Sequence, residues 1–165
     1  MTDPIVEQLD ATGVPYQMVD CDPDLADTAQ FCRAYGYALA DSANTIIVVG
    51  KSTPRVFAAC VVLADSRLDV NGVVRKRFGT RKASFASGDQ TMELTGMAIG
   101  GVTAVGLPAD LPLWVDSRVM TRDNVVLGGG GRERKIVAPP DVLVALPNAE
   151  VVEGLAKPIE TKPGG

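Results

Sequence analysis

A chain of 165 residues with 46% hydrophobic and 22% charged side chains has the composition of a globular domain built on one core, not of a disordered segment. Histidine is absent, which removes Ser-His-Asp and Cys-His hydrolases, His-dependent zinc peptidases and His-containing zinc deaminases, since each needs the imidazole to carry a proton or a metal. A net charge of −4 and a pI near 4.8 argue against a general nucleic-acid coat protein, which needs a basic excess to neutralise phosphates.

No apolar stretch approaches the roughly 20 residues that span a bilayer. The first ten residues carry Asp3, Glu7 and Asp10 where a signal peptide would be basic and then apolar, so the sequence predicts a cytoplasmic protein without a membrane partner. Cys21, Cys32 and Cys60 match neither a zinc pair nor a disulfide framework and read as reduced thiols. Neither a metal nor a cofactor is called for.

In chain order, Asp3-Pro4 caps a helix with Ile5, Val6 and Leu9 on one face, ended by Gly13. Tyr16 to Val19 reads as a short strand, and Asp27 or Thr28 caps a helix that runs through Phe31 and Tyr35 to Gly36. Thr45 to Val49 and Val56 to Ala64 are β-branched apolar runs joined by a turn at Gly50 to Arg55, the expected centre of the sheet. Asp69 to Phe78 and Gln90 to Leu94 read as helices, and Gly96 to Gly106 as a glycine-rich loop. Leu113 to Val115, Val125 to Leu127 and Val151 to Val152 read as strands, with a helix over Pro140 to Leu146. One domain over 1–156 and a loose tail over 157–165 are expected.

Half of the sixteen basic residues fall in two clusters: Arg75, Lys76, Arg77, Arg81 and Lys82, then Arg132, Arg134 and Lys135. These are either a solvated helix face and loop or a docking patch for an RNA backbone. Gly50-Lys51-Ser52 lacks the first glycine of a phosphate-binding loop, because Thr45 stands there, and Gly128 to Gly131 lacks dinucleotide-fingerprint spacing. The loop Gly96 to Gly106 can turn backbone N–H groups toward a carbonyl or phosphate oxygen, or it can be plain structure. Asp116, at a strand end, is either a turn residue or a carboxylate at a cleft rim.

Taken in order, Leu68-Asp69, Ala86-Ser87, Leu94-Thr95-Gly96, Gly100-Gly101-Val102-Thr103-Ala104-Val105-Gly106, Val115-Asp116 and the Gly128-to-Gly131 turn before Lys135 resemble the YbaK family. This family also supplies the editing insertion of bacterial prolyl-tRNA synthetases. The resemblance runs from about Ile5 to Val152. It implies a mixed α/β (α+β) fold: a single compact domain with a central, partly barrel-like mixed β-sheet and flanking helices. The implied activity is that of an aminoacyl-tRNA deacylase, which hydrolyses the ester of a mischarged tRNA, usually one accepting proline, and so serves translation fidelity. Its partner is aminoacyl-tRNA and not DNA, and transient association with an aminoacyl-tRNA synthetase is compatible with such editing.

The same resemblance assigns Gly101, Thr103 and Asp116 to the catalytic centre, and Asn44, Gly100, Val102, Ala104 and Gly106 to substrate binding. Arg75, Lys76 and Arg77 are expected as tRNA contacts on the side of the pocket. Two positions depart from the family's pattern. Its lysine in a Lys-Thr-Leu segment is Asn44 in Asn44-Thr45-Ile46, which carries no charge, and Lys51 stands seven residues further on, roughly 20 Å along a strand. In the glycine loop Ala104 replaces a proline, which loosens the turn without removing backbone donors. The expectation is a deacylase of altered specificity or reduced activity, with a non-catalytic module holding tRNA, a nucleotide or a small acyl ligand as the alternative. A hydrolase or interaction protein acting on something other than tRNA is a third.

Overall fold

The computed structural model describes residues 3–98 and 100–159. At its centre an open five-stranded sheet has the order β5-β2-β3-β6-β9, built from Ala83–Phe85, Ala43–Gly50, Val56–Leu63, Leu113–Asp116 and Ala149–Val152. Strands β2 and β3 pair antiparallel over their whole length, from Ala43 opposite Leu63 to Gly50 opposite Val56, while β3, β6 and β9 run parallel. β-Branched residues fill both faces of this pair, which is why the two runs carry no polar alternation. Two smaller sheets flank the centre: β1 (Gln17–Asp20), β8 (Arg134–Ala138) and β7 (Val125–Gly128) in the order β1-β8-β7, and β4 (Ser66–Leu68) with β10 (Ala156–Pro158).

Alternation along the strands divides the core. Ile47, Ala59, Val61, Leu113 and Val115 face one way and pack on Leu127 and Ile136, on Ile5 and Leu9 of α1 (Pro4–Thr12), and on Val142 and Leu143 of α5 (Asp141–Val144). Val48, Ala58, Cys60, Val62 and Trp114 face the other way, onto Val70, Val74 and Phe78. A third cluster seats Phe31 of α2 (Thr28–Tyr35) against Val126, Cys21 and Ala26. Each buried Leu or Phe contributes about 1.5–3 kcal/mol by leaving water, so truncating fully buried Leu63 to alanine would cost about 2–5 kcal/mol.

Local chemistry sets the helix ends. The Asp3 carboxylate accepts from the N–H of Ile5 at 3.0 Å and also pairs with Arg134 at 2.5 Å, tying α1 to β8; Gly13, at φ 71°, closes the helix. Ser87 and Gln90 form a reciprocal capping box at the start of α4 (Gly88–Thr95). The helix expected over 69–78 is a π-helical turn, Val70–Val74, running into α3 (Arg75–Phe78), because the Asp69 carboxylate takes the N–H of Gly72 at 3.1 Å.

The expected mixed α+β single domain is present; the five- and three-stranded sheets are joined by one isolated parallel bridge, Ser42 with Val126, and no closed sheet forms among the described residues, so the partly barrel-like character is not confirmed. Within the expected tail, Lys157 and Pro158 pair with Arg67 and Ser66, and the Ile159 N–H donates to the Asp65 carbonyl at 2.8 Å. Residues 160–165 of that expected tail lie outside the described residues. All three cysteines are free thiols in buried positions.

Candidate functional site

Beyond the Ser42–Val126 bridge, β2 and β7 no longer pair, and a cavity of about 280 Å³ opens between them. Asn44, Thr45 and Ile47 from β2, Gly128 from β7, Lys135 from β8, Asp27 and Thr28 at the head of α2, Thr91 of α4, and Gly100 and Val102 all line it. That volume sits at the low end of small-ligand pockets.

Lys135 is the residue that sequence reasoning misplaces. By position it belongs with Arg132 and Arg134 in a basic surface cluster, yet it is buried, with only 6% of its surface exposed. The reason is strand parity: β8 turns Ile136 and Ala138 into the main core and Lys135 and Val137 toward α2. The Lys135 ammonium donates to the carbonyls of Ala26 at 2.7 Å and Gly100 at 3.0 Å and lies 5.6 Å from the Phe31 ring centroid. It forms no ion pair with a carboxylate among the described residues. Burial holds its pKa below the ordinary lysine value. The signal that could have found it is Lys135-Ile136-Val137-Ala138 before Pro139-Pro140, a strand ending at a proline pair.

Two further polar groups border the same space. The Thr28 hydroxyl donates to Asn44 Oδ1 at 2.8 Å, which fixes the amide's orientation. Thr45 Oγ1 is buried without a hydrogen-bond partner among the described residues.

Among the described residues, the glycine loop reaches the cavity at Gly100 and Val102. The Gly101 N–H donates to the Ala98 carbonyl at 2.9 Å, and the Gly101 carbonyl accepts from Gly130 at 2.8 Å. A Cβ on Gly101 would stand 2.8 Å from the Gly131 backbone, and one on Gly128 would fall against the Val102 carbonyl. Gly101 against Gly131, and Gly128 against Val102, therefore interlock main chain on main chain, the structural one of the two roles that the sequence leaves open. Thr103 is fully buried with its hydroxyl accepting from Val105, Ala104 lies in the core, and the Gly106 N–H donates to Gln8 Oε1 at 2.7 Å. The N–H groups of Gly100 and Val102 are not engaged by any described residue.

The profile of the aminoacyl-tRNA editing domain family matches residues 22–146. The chain belongs to this family. Among solved structures, a hypothetical protein superposes with a TM-score of 0.83 at 24% identity, covering 94% of this chain and all of the other. A protein described as a candidate trans-editing enzyme for prolyl-tRNA synthetase superposes at 0.77 with 25% identity, covering 95% of this chain and 99% of that one. A scaffold used for grafting linear epitopes gives 0.77 at 22%, covering 93% and 95%. No curated protein matches the chain significantly.

For an editing-domain member, the placement of the remaining expected site residues is uneven. Asn44, Gly100 and Val102 share the cavity, whereas Gly101, Thr103, Ala104, Gly106 and Asp116 do not line it. Asp116 ends β6 on the face of Trp114, fully buried; the backbone N–H groups of Ala156, Ser117 and Leu155 act on its charge without reaching full hydrogen-bond geometry. Burial raises its pKa above the ordinary carboxylate value.

Arg75, Lys76 and Arg77 are also displaced from the expected side. The α3 segment packs Phe78 on Trp114, and Arg77 stacks 4.9 Å over the same ring and pairs with Glu150 at 2.5 Å, on the sheet face opposite to Ile47 and the cavity. The cation at the cavity rim is instead Arg132, which pairs with Asp27 at 3.2 Å. None of the thiols lines the cavity, and burial pushes Cys60 up to about 12, so no thiolate nucleophile is offered there. No helix among the described residues is long and apolar enough to cross a membrane.

Proposed function

We propose that this protein is a trans-editing aminoacyl-tRNA deacylase, acting in the cytoplasm on the ester of a mischarged tRNA of the proline-accepting type. The observation that supports the reading best is the cavity that gathers Asn44, Thr45, Lys135 and the Gly100–Val102 backbone in a chain of the editing family. Ester hydrolysis passes through an oxyanion, and fixed donors aimed at the developing charge are the largest single source of rate in such chemistry. Here those donors are the N–H groups of Gly100 and Val102.

Without histidine, and with Asp116 off the cavity, the attacking water is activated by position and by the substrate's own groups. Asn44, held by Thr28, presents an amide where the family's pattern has a lysine, which redirects specificity or lowers the rate. Thr45, Ile47 and Thr91 shape the acyl end. Phosphate contacts in an acidic protein are few and local, with Arg132 beside the rim and Arg75, Lys76 and Arg77 engaged only by a tRNA that reaches the far face.

The test is incubation of the purified protein with a panel of mischarged tRNAs, following loss of the aminoacyl ester. Release from a proline-accepting tRNA, reduced at least tenfold by Thr28→Val, supports the reading. Binding of tRNA with no hydrolysis of any member of the panel would move the protein to the binding-module alternative.

A further inference from the structure

We infer that Lys135 fixes the phosphate of the substrate's terminal nucleotide and so sets which way the aminoacyl end enters the cavity; this rests on the deacylase reading above. The starting point is an incomplete cation. A lysine ammonium has three donors, and two are used, on the carbonyls of Ala26 and Gly100. No carboxylate pairs with it among the described residues, although a buried charge without an acid beside it is costly to keep. Asp27, the carboxylate on the cavity wall, is already paired with Arg132. In a protein whose net charge is −4, the Lys135 ammonium thus stands at the cavity without an acid paired to it among the described residues.

The charges of an aminoacyl-tRNA end then choose the contact. Its α-carboxyl is esterified and neutral, and its α-amino group is neutral or positive. The anionic oxygens near the ester are those of the nucleotide phosphates. The ammonium attracts these and repels the amino group, so the phosphate lies at the Lys135 and Gly100 end and the acyl group at the Thr45, Ile47 and Thr91 end.

Lys135 and Asn44 both border an adjoining void of only about 10 Å³, so a cation placed at position 44 reaches the same point. A lysine exchanged between the two positions therefore keeps the contact.

The experiment titrates the protein with adenosine 5′-monophosphate, adenosine and inorganic phosphate by calorimetry, alongside the deacylation assay. The monophosphate should bind at least tenfold more tightly than adenosine, and Lys135→Met should abolish that preference, since a charge-assisted contact corresponds to about tenfold to a hundredfold in affinity. Asn44→Lys combined with Lys135→Met should restore part of it. Lys135→Gln, which keeps a donor for the two carbonyls, replaces the methionine variant if circular dichroism shows that one unfolded. Equal binding of nucleotide and nucleoside by the native protein, or a preference that survives the loss of Lys135, overturns the assignment. Inorganic phosphate binding as tightly as the monophosphate assigns the site to free phosphate and overturns the orientation. Native deacylation unaffected by Lys135→Met sinks this inference and leaves the deacylase reading standing. A Lys135-dependent nucleotide preference in a protein that hydrolyses no mischarged tRNA does the reverse.

Discussion

Gly101→Ala separates two roles that the sequence alone leaves entangled. If Gly101 served as a backbone donor to substrate, alanine would preserve the N–H, and the protein would keep its stability. The structure gives a different expectation. Gly101 does not have a positive φ, so alanine brings no left-handed strain, and the whole effect is crowding. Its Cβ would stand 2.8 Å from both Cα and the carbonyl carbon of Gly131 and 3.0 Å from its nitrogen, well inside ordinary carbon contact of about 3.5–4.0 Å. All three atoms are main chain, held in a segment whose Gly130 N–H is bonded to the Gly101 carbonyl at 2.8 Å, so no side chain can swing aside. Overpacking of this kind costs about 1–3 kcal/mol. In a domain of this size each kcal/mol moves the melting temperature by about 2–4 °C. Urea titration and thermal melting by circular dichroism read the loss directly, and ligand affinity should fall with it because Gly100 and Val102 are carried along. A variant within about 0.5 kcal/mol of the native protein would refute the interlocking role.

Asp116 gives a pH signature. Its folded pKa is raised by burial, so the folded state holds the proton to higher pH than the unfolded chain does; that stability is complete below the ordinary carboxylate value near 4 and is lost as pH rises through the folded pKa. Asp116→Asn should abolish this part of the slope and match or exceed the native protein's stability at pH 7, because the amide has no charge to strip of water; a variant clearly less stable at pH 7 would contradict it. Arg132→Glu should weaken tRNA binding and flatten its salt dependence more than Arg77→Glu does, because Arg132 stands at the cavity rim and Arg77 on the opposite sheet face; equal losses in filter binding would put the tRNA on both faces. Ending the chain after Leu155 should lower the melting temperature through loss of the β10–β4 pairing and of cover over Asp116, and an unchanged melt would show that strand to be dispensable.

The central hairpin and the helix caps are legible because each is written locally: Thr45 to Val49 and Val56 to Ala64 are apolar runs around a turn, and Asp3, Ser87 and the closing glycines act within four residues of where they stand. Asn44 and Gly100, far apart in the sequence, line one cavity. What escapes the sequence is set by parity and by depth. Lys135 looks like its neighbours Arg132 and Arg134 until β8 is recognised as a strand, at which point alternation alone sends it inward. Asp116 sits at a strand end as expected, but which face of the sheet it takes depends on the pairing of β6 between β3 and β9. The three-residue strands β4, β5 and β10 are too short to carry a period and exist through their partners.

The interlocked glycines bear on how such a protein could change its diet. Part of the cavity wall is bare peptide, at Gly100 and Gly128, and substitution there is resisted by Arg132 and by the Val102 carbonyl. Among the side chains that complete the wall are those at positions 28, 44, 45, 91 and 135, borne by α2, β2, α4 and β8. Drift in a lineage, or a combinatorial library at the bench, can rewrite those letters while the mould around them keeps its shape.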